Sequence, residues 1–185
     1  MRGLAFAAGL LGLSVLPAPA APVTGWIFSQ SAAGNYEEGE ENAGAIRYVR
    51  SFLPRPDGYA ALTRTYPAGD LRGRRIRLAG RLKTEDAERV EIVVSAVSGD
   101  AADIARLALG DGRMAGTLDW RGYEMVIDIP QEAQRLVVGI QTTGKGTVWA
   151  RDFSLDVVDG TVSITASASR WNMPQRGPAN TGFDQ

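Results

Sequence analysis

A strict alternation of apolar and polar residues recurs along this chain and predicts β-strands. In residues 123–129, Tyr123, Met125 and Ile127 fall on one face, and the residues between them fall on the other. A repeat of two residues is that of a strand with one buried face, whereas a helix repeats about every 3.6 residues. The same alternation occurs in residues 74–84, 90–97 and 148–158.

The strand segments are short, and turn-forming residues separate them. We predict about nine strands, a polar loop over residues 31–42 and no helix beyond one turn at residues 85–89. Many short strands with turns between them favour two packed antiparallel sheets over a parallel α/β fold. The predicted fold class is therefore all-β, an antiparallel β-sandwich of the jelly-roll type.

The N-terminus is typical of a signal peptide. Arg2 precedes an apolar run over residues 4–16, and residues 18–20 form a small-residue cleavage site. The run is too short to cross a bilayer, which takes roughly 20 residues. We expect removal of residues 1–20 on export to the periplasm or the cell exterior. A sandwich domain is then expected over residues 22–165 and a flexible tail over residues 166–185.

The composition excludes several kinds of chemistry. The chain has no cysteine and no histidine, so a Ser-His-Asp triad, a cysteine nucleophile and a His or Cys metal site are all ruled out. The formal net charge of -1 gives no reason to expect a nucleic-acid partner. We expect a protein that is not an enzyme, has no cofactor and does not span a membrane. The oligomeric state stays open.

Four glutamates crowd into the predicted loop of residues 31–42. Together with Asp152, they could supply oxygen ligands to a structural calcium ion. The regular spacing of a calcium-binding loop is missing, however, so a solvated acidic loop is the favoured interpretation. The glutamates are Glu37, Glu38, Glu40 and Glu41.

Three segments, read together, resemble a known module. Residues 71–86, 116–130 and 146–159 follow the order of a charged strand, an Asp-Trp-x-x-Tyr strand ending in proline, and a Val-Trp-x-x-Asp strand. This order resembles the galactose-binding-like, carbohydrate-binding-module-like jelly roll of secreted bacterial proteins, which is also attached to some AraC-type regulators. Relatives often carry two acidic residues after the tryptophan, whereas this chain has Arg151 and then Asp152, which puts any inherited metal site in doubt.

The jelly roll implied by this resemblance sets Arg75, Arg77 and Arg81 across from Glu124 and Asp128. One interpretation, which we favour, is a ladder of ion pairs on a solvated face, each contributing about 0.2–1 kcal/mol. The alternative is a concave groove in which the arginines hold a sugar or an anion through paired hydrogen bonds.

Exposed aromatic rings are a second source of ligand contacts, because a sugar ring stacks on a flat apolar face. Tyr36 and Tyr59 lie beside glycine or asparagine in predicted loops, and Tyr66 precedes a proline at a strand end. Trp149 lies within an apolar strand and is predicted to be part of the core.

We therefore predict a secreted, non-catalytic module that binds a glycan or another extracytoplasmic ligand. The alternatives are a structural or interaction protein of the cell envelope with a protein partner, and a sensor module without an effector domain. The predicted contact residues are Tyr59, Tyr66, Arg75, Arg77 and Glu124.

Overall fold

The computed structural model describes residues 25–99, 103–110 and 112–165. The predicted signal peptide, residues 1–20, and the predicted tail, residues 166–185, lie outside the described residues. Within the described ranges, no helix combines the length and the apolar character needed to cross a membrane.

Ten antiparallel strands in the described residues form two five-stranded sheets. The strands are β1 (Ile27–Gln30), β2 (Tyr36–Glu41), β3 (Ile46–Ser51), β4 (Tyr59–Pro67), β5 (Arg75–Ala87), β6 (Arg89–Val97), β7 (Asp103–Leu109), β8 (Gly116–Asp128), β9 (Arg135–Thr143) and β10 (Thr147–Val158). The first sheet has the order β1-β4-β9-β6-β7, and the second has the order β2-β3-β10-β5-β8. Most neighbouring strands are therefore distant in the sequence.

The alternating apolar positions meet between the two sheets. Ile76 and Leu78 of β5, Val94 of β6 and Met125 of β8 are at most 2% exposed and belong to one core cluster. Burial of each such side chain contributes about 1.5–3 kcal/mol. The predicted all-β sandwich is confirmed, and so is the inward face predicted for residues 123–129.

The predicted polar loop of residues 31–42 is partly wrong. Residues 36–41 form β2, which pairs with β3 along its whole length. The glutamates are tolerated in a strand because basic residues of β3 lie opposite them. Glu37 pairs with Arg50, and Glu40 pairs with Arg47. Sequence periodicity alone does not contain this cross-strand compensation.

The predicted helical turn at residues 85–89 is also wrong. Strand β5 continues to Ala87, and β6 begins at Arg89. Asp86 adopts a φ of 47°, in the left-handed region, at an irregularity in the pairing of β5 with β8 between Thr84 and Ala87. Aspartate tolerates this conformation better than most residues, because its short side chain can form local hydrogen bonds. Glu88 alone separates the two strands, which belong to different sheets, so a short crossover between the sheets replaces the helical turn.

Candidate functional site

Small side chains on the outer face of the first sheet leave room for a groove. This face points away from the core, yet Ala61, Val93 and Ser95 are only 7%, 4% and 4% exposed. Gly139 of β9 lies between β4 and β6 in the same face. The face is recessed where Ala108 of β7 lies beside Val93 of β6.

The recess has a volume of about 500 Å³ and is open to solvent. We call it the groove. Strands β4, β6, β7 and β9 all contribute to it. Its lining residues are Tyr59, Arg89, Glu91, Asp103, Arg106, Ala108, Gln141 and Thr143.

Strand register fixes one end of the groove. Thr143 of β9 pairs with Tyr59 on one side and with Arg89 on the other. The backbone N–H of Tyr59 donates to the Ser31 hydroxyl at 2.8 Å, and the Ser31 N–H donates to the Tyr59 carbonyl at 2.9 Å. Tyr59 is 43% exposed. This end therefore offers an accessible aromatic ring on a fixed backbone.

Arg106 of β7 reaches across the groove floor. Its guanidinium donates to the Ser95 hydroxyl at 3.2 Å and to Oε1 of Gln141 at 3.2 Å. The carboxylate of Asp103 lies 3.9 Å from the same group. Since its carbonyl oxygen is engaged, Gln141 has its NH₂ group left as a donor. The arrangement holds two planar polar side chains in a defined orientation.

The charges in the groove balance. Arg89 donates to Glu91 at 2.7 Å, and Arg106 lies beside Asp103. Two cations and two anions leave no excess of either sign. This combination suits an uncharged ligand rich in hydroxyl groups, because each hydroxyl both donates and accepts hydrogen bonds.

The structure does not bring the five predicted contact residues together. Tyr59 lines the groove, but Tyr66 is only 6% exposed and belongs to the core cluster. The prediction that Tyr66 is accessible is wrong, and so is the loop placement of Tyr36, which is 2% exposed. Tyr59 and Tyr66 are seven positions apart on one strand, so their side chains point to opposite faces.

Arg75, Arg77 and Glu124 lie on the outer face of the second sheet. Arg75 donates to both carboxylate oxygens of Asp128, at 2.6 and 2.8 Å, and these hydrogen bonds lower the pKa of Asp128. The Arg77 Nε lies 3.8 Å from Glu124. The favoured interpretation, a ladder of cross-strand ion pairs, matches this arrangement for Arg75 and Arg77. It is wrong for Arg81, which lies opposite Gly122 and Arg151 instead of an acidic residue. A ligand-binding role for these residues stays a prediction.

The acidic side chains of β2 already have ion-pair or hydrogen-bond partners, so they are not free to bind a metal ion. Arg47 donates to Glu38 at 2.5 Å and to Glu40 at 2.9 Å, and Arg50 pairs with Glu37. In the part of the chain that the structure describes, no three acidic side chains are grouped so as to hold a metal ion.

The prediction that Trp149 belongs to the core is also wrong. It lies on the outer face of the second sheet, paired with Tyr48 and Lys83, and its Nε1 donates to Glu41 at 3.0 Å. Its apolar neighbours Val148 and Ala150 point into the core instead. The alternation of the strand therefore places Trp149 outside, although its surroundings in the sequence are apolar.

Sequence reasoning missed most of the groove. Glu91, Arg106 and Gln141 lie in three different strands, and their common location depends on strand order. One signal was available: the outward positions of β4 and β9 include Ala61 and Gly139, whereas those of β5 are large and charged. A face of small outward residues indicates a recess.

Solved structures with the same fold include carbohydrate-binding modules. One is a CBM4 module, with a TM-score of 0.53 and 12% identity over 72% of this chain and 86% of that chain. Another is the CBM22-1 xylan-binding domain of Paenibacillus barcinonensis Xyn10C, with a TM-score of 0.50 and 11% identity over 76% of this chain and 92% of that one. The fold is the jelly roll of the carbohydrate-binding modules.

Two further similarities cover only parts of longer proteins. The enzymatically active domain of tailspike protein 4 from bacteriophage CBA120 has a TM-score of 0.55 and 13% identity, over 72% of this chain and 19% of that one. The uncharacterized HTH-type transcriptional regulator YbfP of Bacillus subtilis strain 168 is 28% identical over 148 residues, 76% of this chain. The match spans 50% of the regulator, so this chain corresponds to about half its length. No family model matches the chain.

Proposed function

We propose that this protein is an exported, non-catalytic module that binds an uncharged glycan in the groove of the first sheet. The observation that carries the proposal is the combination of exposed Tyr59 with the hydrogen-bonded pair of Arg106 and Gln141 in one recess. The carbohydrate-binding-module fold supports it. The signal-peptide pattern of residues 1–20 supports export to the periplasm or the cell exterior.

The groove matches the two chemical properties of a sugar. A pyranose has a flat apolar face, which stacks on an aromatic ring such as that of Tyr59. Its neighbouring hydroxyls are bound best by side chains with two polar atoms in one plane, which Arg106 and Gln141 provide.

Titration with soluble neutral polysaccharides (xylan, β-glucan and galactan) tests the proposal. We expect binding to one of them by isothermal calorimetry. Tyr59→Ala and Gln141→Ala should each weaken that binding about tenfold, equivalent to about 1.4 kcal/mol, since each removes one main contact. The protein should release no reducing sugar from the polysaccharide that it binds.

The matched control is Gln131→Ala, which removes the same kind of side chain from an exposed position in the connection between β8 and β9. It should bind like the parent protein. Absence of binding to every neutral glycan would overturn the proposal and favour a protein partner in the envelope. Equal effects of Gln131→Ala and Gln141→Ala would show that the groove is not the site.

A further inference from the structure

The outer face of the second sheet carries an unusual contact between like charges. Arg81 of β5 lies directly opposite Arg151 of β10, and Lys83 lies two residues further along β5. Like charges that face each other across neighbouring strands are destabilising. We call Arg81, Lys83 and Arg151 the basic strip.

Basic residues elsewhere on this face have acidic partners. Arg75 pairs with Asp128, Arg77 with Glu124, and Arg50 with Glu37. Within the described residues, neither Arg81 nor Lys83 has a carboxylate partner. Arg151 has only its chain neighbour Asp152, at 3.5 Å. The ion-pair ladder is therefore interrupted at the centre of the face, and the charge left there is positive.

Two tryptophans hold the cations of the strip in place. The Lys83 ammonium lies 5.0 Å from the ring centre of Trp149, and the Arg151 guanidinium lies 4.2 Å from that of Trp120. Such contacts contribute about 0.5–1 kcal/mol at exposed sites, and they leave the positive charge intact. The rings thus position the two cations without neutralising them.

We propose that the basic strip binds an anionic polysaccharide through its carboxylate or sulfate groups. Arginine side chains match these groups because two N–H donors fit two oxygens in one plane. The strip and its tryptophans extend over β10, β5 and β8, three adjacent strands about 4.8 Å apart. An extended chain with repeated negative charges fits this layout better than a single small ion.

Other polyanions fit the strip less well. Single-stranded nucleic acid is bound by stacking bases on free aromatic faces, whereas Trp120 and Trp149 each already carry a cation over the ring. Insertion into an anionic membrane needs exposed large apolar side chains. Among the described residues these are Ile27, Phe52, Leu53, Tyr59 and Ile164, none of which belongs to the strip.

Binding of the protein to polygalacturonate, which carries carboxylates, and to dextran sulfate tests this proposal, with neutral dextran as the reference. We expect binding to at least one charged polymer, no binding to dextran, and weaker binding at higher NaCl concentration. The double variant Arg81→Gln/Lys83→Gln should weaken binding at least tenfold. The polymer that binds more tightly tells which anionic group the strip prefers.

The matched control is Arg50→Gln/Lys145→Gln, which also removes one arginine and one lysine, but from positions outside the strip where each has a carboxylate partner. Its affinity for the charged polymers should stay within about twofold of that of the parent. The non-specific attraction between the protein's net charge and the polymer is weak, because salt screens it. Equal losses in both double variants, or no binding to either charged polymer, would overturn the proposal. So would tighter strip-dependent binding to phosphatidylglycerol vesicles or to single-stranded DNA. Groove variants lie on the other sheet, so failure of the groove proposal is distinguishable from failure of this one.

Discussion

At the scale of single residues, Tyr36 connects the core to one end of the groove. Its hydroxyl donates to the Gly58 carbonyl at 3.2 Å and accepts the Gly144 N–H at 3.1 Å. Gly58 precedes Tyr59, and Gly144 follows Thr143, so these two hydrogen bonds hold both residues at the groove end. Burial raises the pKa of the Tyr36 hydroxyl above its usual value near 10.

Removal of this hydroxyl should destabilise the protein. We expect Tyr36→Phe to lower the free energy of unfolding in urea by about 1–3 kcal/mol, because the buried Gly144 N–H loses its partner. The control is Tyr48→Phe, since the Tyr48 hydroxyl has no hydrogen bond in the described part of the chain. Equal effects of the two substitutions would contradict the role assigned to Tyr36.

The ionisation of Tyr36 leads us to expect that the parent protein and the Tyr36→Phe variant differ in stability at alkaline pH. The raised pKa means that the folded state holds the Tyr36 proton more tightly than the unfolded state. The resulting stability is fully present below about pH 10 and is lost as pH rises through the folded-state pKa. The parent should therefore lose more stability than Tyr36→Phe above about pH 10. Urea unfolding at a series of pH values measures this, and parallel curves of unfolding free energy against pH would rule it out.

At the scale of secondary structure, the close contact between β4 and β9 requires a glycine in the first sheet. Gly139 of β9 pairs with Thr63 of β4 and Val93 of β6. A Cβ atom at Gly139 would overlap the Leu62 carbonyl oxygen and lie 2.8 Å from the Thr63 Cα. Both neighbours belong to the backbone and cannot rotate away, so this position requires glycine.

We therefore expect Gly139→Ala to lower the free energy of unfolding by about 1–3 kcal/mol, the usual cost of forcing an extra group into a packed site. The matched control is Gly122→Ala in β8, where a Cβ atom meets nothing within 4 Å. That substitution should be neutral or slightly stabilising, because alanine loses less conformational freedom than glycine on folding. Thermal unfolding of both variants measures the difference.

At the scale of the whole molecule, the two outer faces differ in chemistry. The groove is recessed and balanced in charge, whereas the face of the second sheet carries paired ions at its margins and the basic strip at its centre. The packed core lies between them, and sheets in a sandwich are about 10 Å apart. The core therefore separates two ligands bound on these faces, and they do not contact each other.

The two proposed sites should therefore act independently. Saturation of the groove with a neutral glycan should leave the affinity for polygalacturonate unchanged, and calorimetric titration in its presence measures this. Competition between the two polymers would mean that they share one site. That result would contradict the assignment of separate ligands to the two sheets.

The sequence alone determined most of the strands and several of their inward faces, although it missed β2 and the outward position of Trp149. The alternation in residues 123–129 and the apolar positions of β5 and β6 predicted buried faces that the structure confirms, because a period of two depends only on the local backbone. It also indicated that Arg75 lies near Asp128, once the jelly-roll order was assumed. Tyr66 could have been assigned to the core on the same local grounds, given its odd spacing from Tyr59.

Only the tertiary structure decided where a ligand could bind. Glu91 and Gln141 are neighbours in the first sheet although they are far apart in sequence, and the contact of Arg81 with Arg151 also depends on strand pairing. Periodicity tells whether a side chain points inward or outward, but it carries no information on which strand lies alongside. The groove and the basic strip arise from that non-local pairing, which is why neither could be located from the alternation pattern.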